Sequence, residues 1–206
     1  MSQKLLEPSR DQMYEYHAKW DGNAYVGYRI QEDVLNGIWR KYPKNINIKE
    51  IEVKVKTLNL YYSTNVIATN KMARHIYSIK DIDNRLSKGD LSLVKIIAHL
   101  KLENGKERDF YSFATKYCSF HAPNKYPIYD SYVQDLLYKF QKKYKFYPCI
   151  ITHKSITDYS QYPEYKKIVD CFITRFELNC SYKELDQYLW TMGKEEFPRE
   201  SKKRKS

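Results

Sequence analysis

Apolar positions recur along this chain mostly at helical spacing. Tyr14 to Trp20 and Val26 to Trp39 each form an amphipathic stripe, with Asp21-Gly22-Asn23 between them and Pro43 ending the second. Asn47-x-x-Glu50 resembles a capping box ahead of Ile51, Val55 and Leu58. The same Ile51-Glu-Val-Lys-Val-Lys56 stretch also alternates like a strand, so helix and strand both stand there. Ser63-Thr64-Asn65 predicts a cap for a helix through Met72 and Ile76. Asp81 to Leu86 predicts a short helix stopped at Gly89, and Leu91 to Leu102 a further one. Glu103-Asn104-Gly105-Lys106 predicts a tight turn. Arg108 to His121 and Asp130 to Tyr144 predict two more helices, with Pro123 and Pro127 in the loop between them. Lys145 to Thr152 is β-prone. Pro163 to Phe176 and Ser181 to Met192 close the chain, the last with a Ser181-x-x-Glu184 capping box.

The pattern predicts a mainly α protein of about eight to ten short helices with at most a small β element, because period-2 alternation is scarce and a βαβ rhythm is absent. Residues 1–198 read as a single helical domain, with the hairpin and catalytic motif over 103–133. Residues 199–206 read as a basic disordered tail. The chain has 206 residues, enough to bury a core. No apolar run is long enough to span a membrane, and the N-terminus lacks the apolar stretch of a secretory signal. The four cysteines (Cys118, Cys149, Cys171, Cys180) sit at irregular spacing, which predicts free thiols and a cytoplasmic protein.

Charge changes the picture. A formal net charge of +11 argues for a polyanionic partner, and nucleic acid is the first candidate. An AT-rich coding bias would also enrich lysine, tyrosine and asparagine. Lys139-Phe-Gln-Lys142-Lys143-Tyr-Lys145-Phe interleaves cations with aromatics, a pattern that suits a phosphate-tracking surface. Lys106 and Arg108 flank the turn at Gly105, where backbone amides can also hold a phosphate.

Candidate chemistry centres on Lys116 and Asp130. Asp130 can stabilise positive charge on a neighbouring sugar carbon, and it can equally serve as an N-cap. Lys116 can attack that carbon as a neutral amine if burial depresses its pKa, or it can snorkel on a solvated face. Tyr117 and His121 are candidates for a base pocket. Asp33, Glu52 and Lys54 weakly match a metal-nuclease pattern that would hold Mg²⁺. Cys118-x-x-His121 with Cys149-x-x-x-His153 is a weaker zinc pattern, and core thiols are the simpler reading.

Phe113-Ala-Thr-Lys116-Tyr, the Asn104-Gly105-Lys106 turn before it and Tyr126-Pro-Ile-Tyr-Asp130-Ser after it resemble the helix-hairpin-helix DNA glycosylase superfamily, in particular its bacterial branch similar to 8-oxoguanine DNA glycosylase. Leu58 to Asn65 and Tyr188 to Lys194 are similar as well. The resemblance covers about residues 55 to 195 and is dense only over 105 to 133. It implies an enzyme that flips a damaged or modified base out of duplex DNA and cuts its N-glycosidic bond, with no cofactor, as a monomer. Asp130 would be the essential carboxylate and Lys116 the nucleophile of a strand-nicking form. The substrate it implies is an oxidised purine, and a modified base of phage DNA is the alternative. Two features depart from the family. Only Gly105 of the hairpin's Gly-x-Gly is present. Lys116 also stands nearer to Asp130 than the family lysine does, so an ungapped overlay puts Tyr111 or Ser112 in its place. A catalytically silent DNA-binding module is a further reading.

Overall fold

A computed structural model describes residues 5–102, 105–152 and 156–198. The predicted tail, Asn104 of the turn and His153 of the zinc pattern lie outside the described residues.

The structure is mainly α, with one two-stranded antiparallel sheet among the described residues. In chain order the elements are α1 (Arg10–Asp21), a 3₁₀ turn (Asn23–Tyr25), α2 (Val26–Lys41), α3 (Ile48–Tyr62), α4 (Thr69–Tyr77), α5 (Ile82–Lys88), α6 (Ser92–Ala98), β1 (His99–Lys101), β2 (Glu107–Asp109), α7 (Tyr111–His121), α8 (Ser131–Tyr144), a second 3₁₀ turn (Tyr159–Gln161), α9 (Tyr162–Arg175) and α10 (Tyr182–Glu196). None of these helices is long and apolar enough to cross a membrane.

α7 is the central element: Phe113, Ala114, Tyr117 and Cys118 are fully buried in one apolar cluster. α10 joins the two ends of the chain. It packs on α1, where Tyr188 Oη donates to Gln12, and on α8. Its start carries the predicted capping box, with Ser181 Oγ accepting from the Glu184 amide at 3.2 Å and the Ser181 amide donating to Glu184 at 2.7 Å. All four cysteines are free thiols.

Four local expectations differ, and one left open between helix and strand is decided. The helix predicted through Leu102 stops at Ala98, and His99–Lys101 pairs with Glu107–Asp109. The reason is the switch to period 2 at His99-Leu-Lys-Leu102, which buries Leu100 and points His99 and Lys101 outward. The Leu102 amide then donates to the Lys106 carbonyl at 2.7 Å, and Gly105 adopts φ +76°. The hairpin is therefore β, and α7 begins at Tyr111 rather than Arg108. The ambiguous segment after Asn47 is helix α3, capped by the Asn47 side chain. Ser63-Thr64-Asn65 ends α3 in the left-handed region rather than opening α4, with Asn59 Oδ1 accepting from Thr64 and Val66. Lys145 to Thr152 forms no strand; Gln141 holds it by bonding the Tyr147 amide and the Tyr147 and Cys149 carbonyls.

Candidate functional site

A cavity of about 210 Å³ opens between α2, α3, the start of α8 and α10. Its walls are largely aromatic, and Lys116, Asp130, Lys183, Asp186 and Glu32 supply its charged groups.

Lys116 is 2% exposed. Its Nζ donates to Ser112 Oγ at 2.8 Å and to the Tyr129 carbonyl at 3.0 Å, and lies 3.9 Å from Asp130 Oδ2. The Tyr62 ring centre is 5.2 Å away. Burial lowers the ammonium's pKa, and the Asp130 charge opposes that shift without cancelling it.

Asp130 is the N-cap of α8, with Oδ1 accepting from the Tyr132 amide at 2.9 Å. Capping uses one oxygen and leaves Oδ2 facing Lys116. The segment leading to it is pinned from several helices. Tyr126 Oη donates to the Asp90 carbonyl at 3.1 Å, Tyr162 Oη to the Pro127 carbonyl at 2.9 Å and Tyr165 Oη to the Ile128 carbonyl at 2.7 Å. The Tyr129 amide donates to Thr115 Oγ1 at 3.1 Å. Three buried phenols and a buried threonine thus fix an irregular loop, because buried backbone acceptors must find donors.

Lys183 bridges to Glu32 of α2 at 2.9 Å. Burial alone would lower its pKa, but Tyr62, Asp186 and Glu32 outweigh it and the net shift is upward. Burial pushes the Tyr62 phenol up to about 12. Burial also pushes the Asp186 carboxyl up to about 6, against the pull of Lys183. On the aromatic side Tyr28 meets Trp190 edge-on at 4.8 Å and Trp20 meets Trp190 at 5.7 Å. The site can therefore hold a flat ring against aromatic faces while presenting two amines and three carboxyls to whatever the ring is joined to.

Tyr117 and His121, expected in a base pocket, do not line this cavity. They follow Lys116 by one and five positions, which at 3.6 residues per turn turns both about 100–140° away from it. They belong instead to a buried polar cluster with Lys54, Asn45 and Trp39. There Lys54 donates to the Tyr42 carbonyl at 3.2 Å, the Lys44 carbonyl at 3.0 Å and Asn45 Oδ1 at 2.7 Å. Asp83 accepts from the Asn45 amide and side chain. Burial lowers the Lys54 pKa to about 8, and burial with the Lys54 charge holds His121 neutral, well below its usual range.

The nuclease trio does not converge. Lys54 is turned into that cluster, Glu52 pairs with Lys56 on the outside of α3 at 3.1 Å, and Asp33 is exposed on α2. Among the described residues no three His, Cys, Asp or Glu side chains are grouped to hold a metal. Cys118 is buried and Cys149 exposed, so the two halves of the zinc pattern lie apart in burial as well as in sequence.

Gly105, Lys106 and Arg108 are exposed on the β hairpin. Lys142 and Lys143 are exposed at the end of α8, Lys142 over the Tyr138 ring and Lys143 reaching the Leu5 carbonyl. Asp186, Lys183, Glu32 and the tryptophans were not among the predicted site residues. Their one sequence signal is that Lys183, Asp186 and Trp190 recur at three and four positions, which puts them on one face of α10.

Residues 12–125 match the family model HI_0787_N, described as an N-terminal domain, and the match takes in more than half of the 206-residue chain. The chain belongs to this family. A relative in Haemophilus influenzae (strain Rd), described as an uncharacterized protein, is 46% identical over 141 residues, which are 68% of this chain and 65% of the relative. The aligned part thus spans slightly less than two thirds of that relative. No solved structure matches the chain. The family match includes Lys116 and stops before Asp130 and Asp186.

Proposed function

We propose that the protein is a DNA glycosylase that cleaves the N-glycosidic bond of a damaged or modified base flipped out of duplex DNA. The observation that carries this reading is a buried lysine with a depressed pKa, 3.9 Å from a fixed carboxylate, beneath an aromatic-walled cavity of about 210 Å³. That volume lies below the roughly 300–1,000 Å³ usual for drug-sized ligands and suits a single ring system. Stacking a base on an aromatic side chain contributes about 1–3 kcal/mol, which helps offset the cost of unstacking it from the duplex.

Cleavage builds positive charge on the sugar. Asp130 stabilises that charge from a position set by its own backbone cap. A neutral Lys116 amine can attack C1′, which would make the enzyme also nick the strand. Exposed Lys106, Arg108, Lys142 and Lys143 would hold the phosphates, in keeping with the +11 charge, whereas the Gly105 amide is already bonded to the Leu102 carbonyl. On this reading the protein works in the cytoplasm as a monomer, on oxidised purines in repair or on modified bases of phage DNA in defence.

The test is a panel of duplexes carrying oxidised, alkylated, deaminated and hypermodified bases, scored for base release. Release from at least one, slowed about 10²–10³-fold in Asp130→Asn, supports the reading. No release from any of them removes it. A silent DNA-binding module would be indifferent to Asp130→Asn in everything but affinity.

A further inference from the structure

Four buried side-chain atoms among the described residues have no hydrogen-bond partner, and only one of them, Asp186 Oδ1, belongs to a residue lining the cavity. A buried carboxyl oxygen without a donor is costly, so such a group invites either a proton or a ligand. Asp186 comes from α10, whereas Lys116 and Asp130 come from α7 and the start of α8. Of the cavity's three carboxyls, Glu32 is paired with Lys183, and the other two have different surroundings. Asp130 is capped by an amide and faces an ammonium; Asp186 Oδ1 is enclosed and bare. Surroundings that differ in this way assign one carboxyl the charged role and the other the acid role.

We propose that Asp186 is the acid that protonates the departing base, an inference that rests on the glycosylase reading above. As the C1′–N bond breaks, its electron pair goes to the base and the Asp186 proton goes with it, leaving a carboxylate. The Lys116 amine supplies the electron pair that forms the new C1′–N bond. The base leaves neutral, the new amine on C1′ carries the positive charge, and solvent reprotonates Asp186 once the base has gone. Burial raises the Asp186 carboxyl to about 6, so the acid form is present near neutrality. The groups acting on it are Lys183 on its own helix, Lys116, Asp130, Glu32 of α2, Tyr62 of α3 and Tyr165 of α9.

The test compares wild type with Asp186→Asn and Asp186→Glu in single-turnover base release across pH. Affinity for a duplex bearing a tetrahydrofuran abasic analogue, which has no base to lose, is measured alongside. Asp186→Asn is expected to slow release about 100-fold or more and to remove the fall in rate as pH rises past the Asp186 pKa. Asp186→Glu should keep that fall, and affinity for the abasic analogue should hold in both variants. Unchanged release in Asp186→Asn overturns the assignment and leaves the glycosylase reading standing. A parallel loss of release and of abasic-duplex affinity also overturns it, because the residue then positions DNA. Absence of release by wild type sinks both together.

Discussion

The ammonium of Lys116 lies 3.9 Å from a carboxylate oxygen of Asp130, and each is held by groups other than its partner. Ser112 and the Tyr129 carbonyl orient the lysine, and the Tyr132 amide orients the aspartate. The pair is therefore set before any substrate arrives, which is the condition for electrostatic catalysis to act without reorganisation.

Asp130→Asn keeps the cap but removes the charge. It is expected to slow base release about 10²–10³-fold with little change in thermal stability. Lys116→Gln should abolish any adduct trapped with borohydride. Because burial lowers the Lys116 pKa, the neutral amine becomes more abundant as pH rises, so lysine-dependent trapping on a duplex with a natural abasic site, where no base has to be released, should increase with pH in the wild type. Single-turnover release and trapping at several pH values check both. Flat trapping across that range would count against the amine as nucleophile.

The Lys54 cluster predicts a different pH effect, on stability. Lys54 titrates at about 8 in the folded protein and at about 10.4 when unfolded. Below pH 8 both states carry the proton and the desolvation penalty is complete. Between those values the unfolded chain holds the proton while the folded protein has shed it, so stability climbs with pH. Lys54→Met removes the part of the climb that Lys54 supplies and leaves the part that the buried Lys116 adds. At pH 7 it also leaves the Tyr42 and Lys44 carbonyls without their donor, at about 1–3 kcal/mol each, partly offset by losing a buried charge. A net loss of about 1–3 kcal/mol is expected, read by denaturant titration at pH 7 and pH 9.

The helices are legible in the sequence because apolar residues recur at 3.6-residue spacing over long stretches, and Ser181 and Glu184 mark the last start without help from tertiary contacts. The β hairpin is less legible, since Leu100 continues the helical stripe of Leu93, Ile96 and Ile97 equally well until the ladder with Glu107–Asp109 is formed. Lys116 and Asp130 are close in sequence, so a local motif carries them. Asp186 stands fifty-six positions after Asp130 and reaches the cavity through the tertiary packing of α10 on α1 and α8. Tyr117 and His121 show the converse error: nearness to Lys116 along the chain places them on another face of the same helix.

The exposed cations make a prediction about salt. Replacing Lys106, Arg108, Lys142 or Lys143 by Ala should weaken duplex binding alike for all sequences. Each loss of a phosphate contact lowers the slope of log K against log salt by about 0.9. Fluorescence anisotropy at several salt concentrations measures it. A variant with an unaltered slope would show that its side chain does not meet the backbone.

The last prediction concerns a close approach of two helices. Gly193 lies on α10 against α8, and a Cβ there would sit 2.8 Å from Tyr132 Cβ and 3.2 Å from Tyr132 Cδ1. Tyr132 Cβ is attached to the backbone whose amide donates to Asp130, so it cannot move aside without moving that cap. Gly193→Ala gains up to about 1 kcal/mol of helix propensity and loses about 1–3 kcal/mol to overpacking. Stability should therefore fall only modestly, whereas base release should fall much further, because a small displacement of a catalytic group is costly to rate. Gly37→Ala on α2 is the control: nothing lies within 4 Å of its Cβ, so it should gain stability and leave release unchanged. Melting curves and single-turnover rates for both variants decide the matter. An active Gly193→Ala enzyme would mean that α10 can shift without disturbing the Asp130 carboxylate.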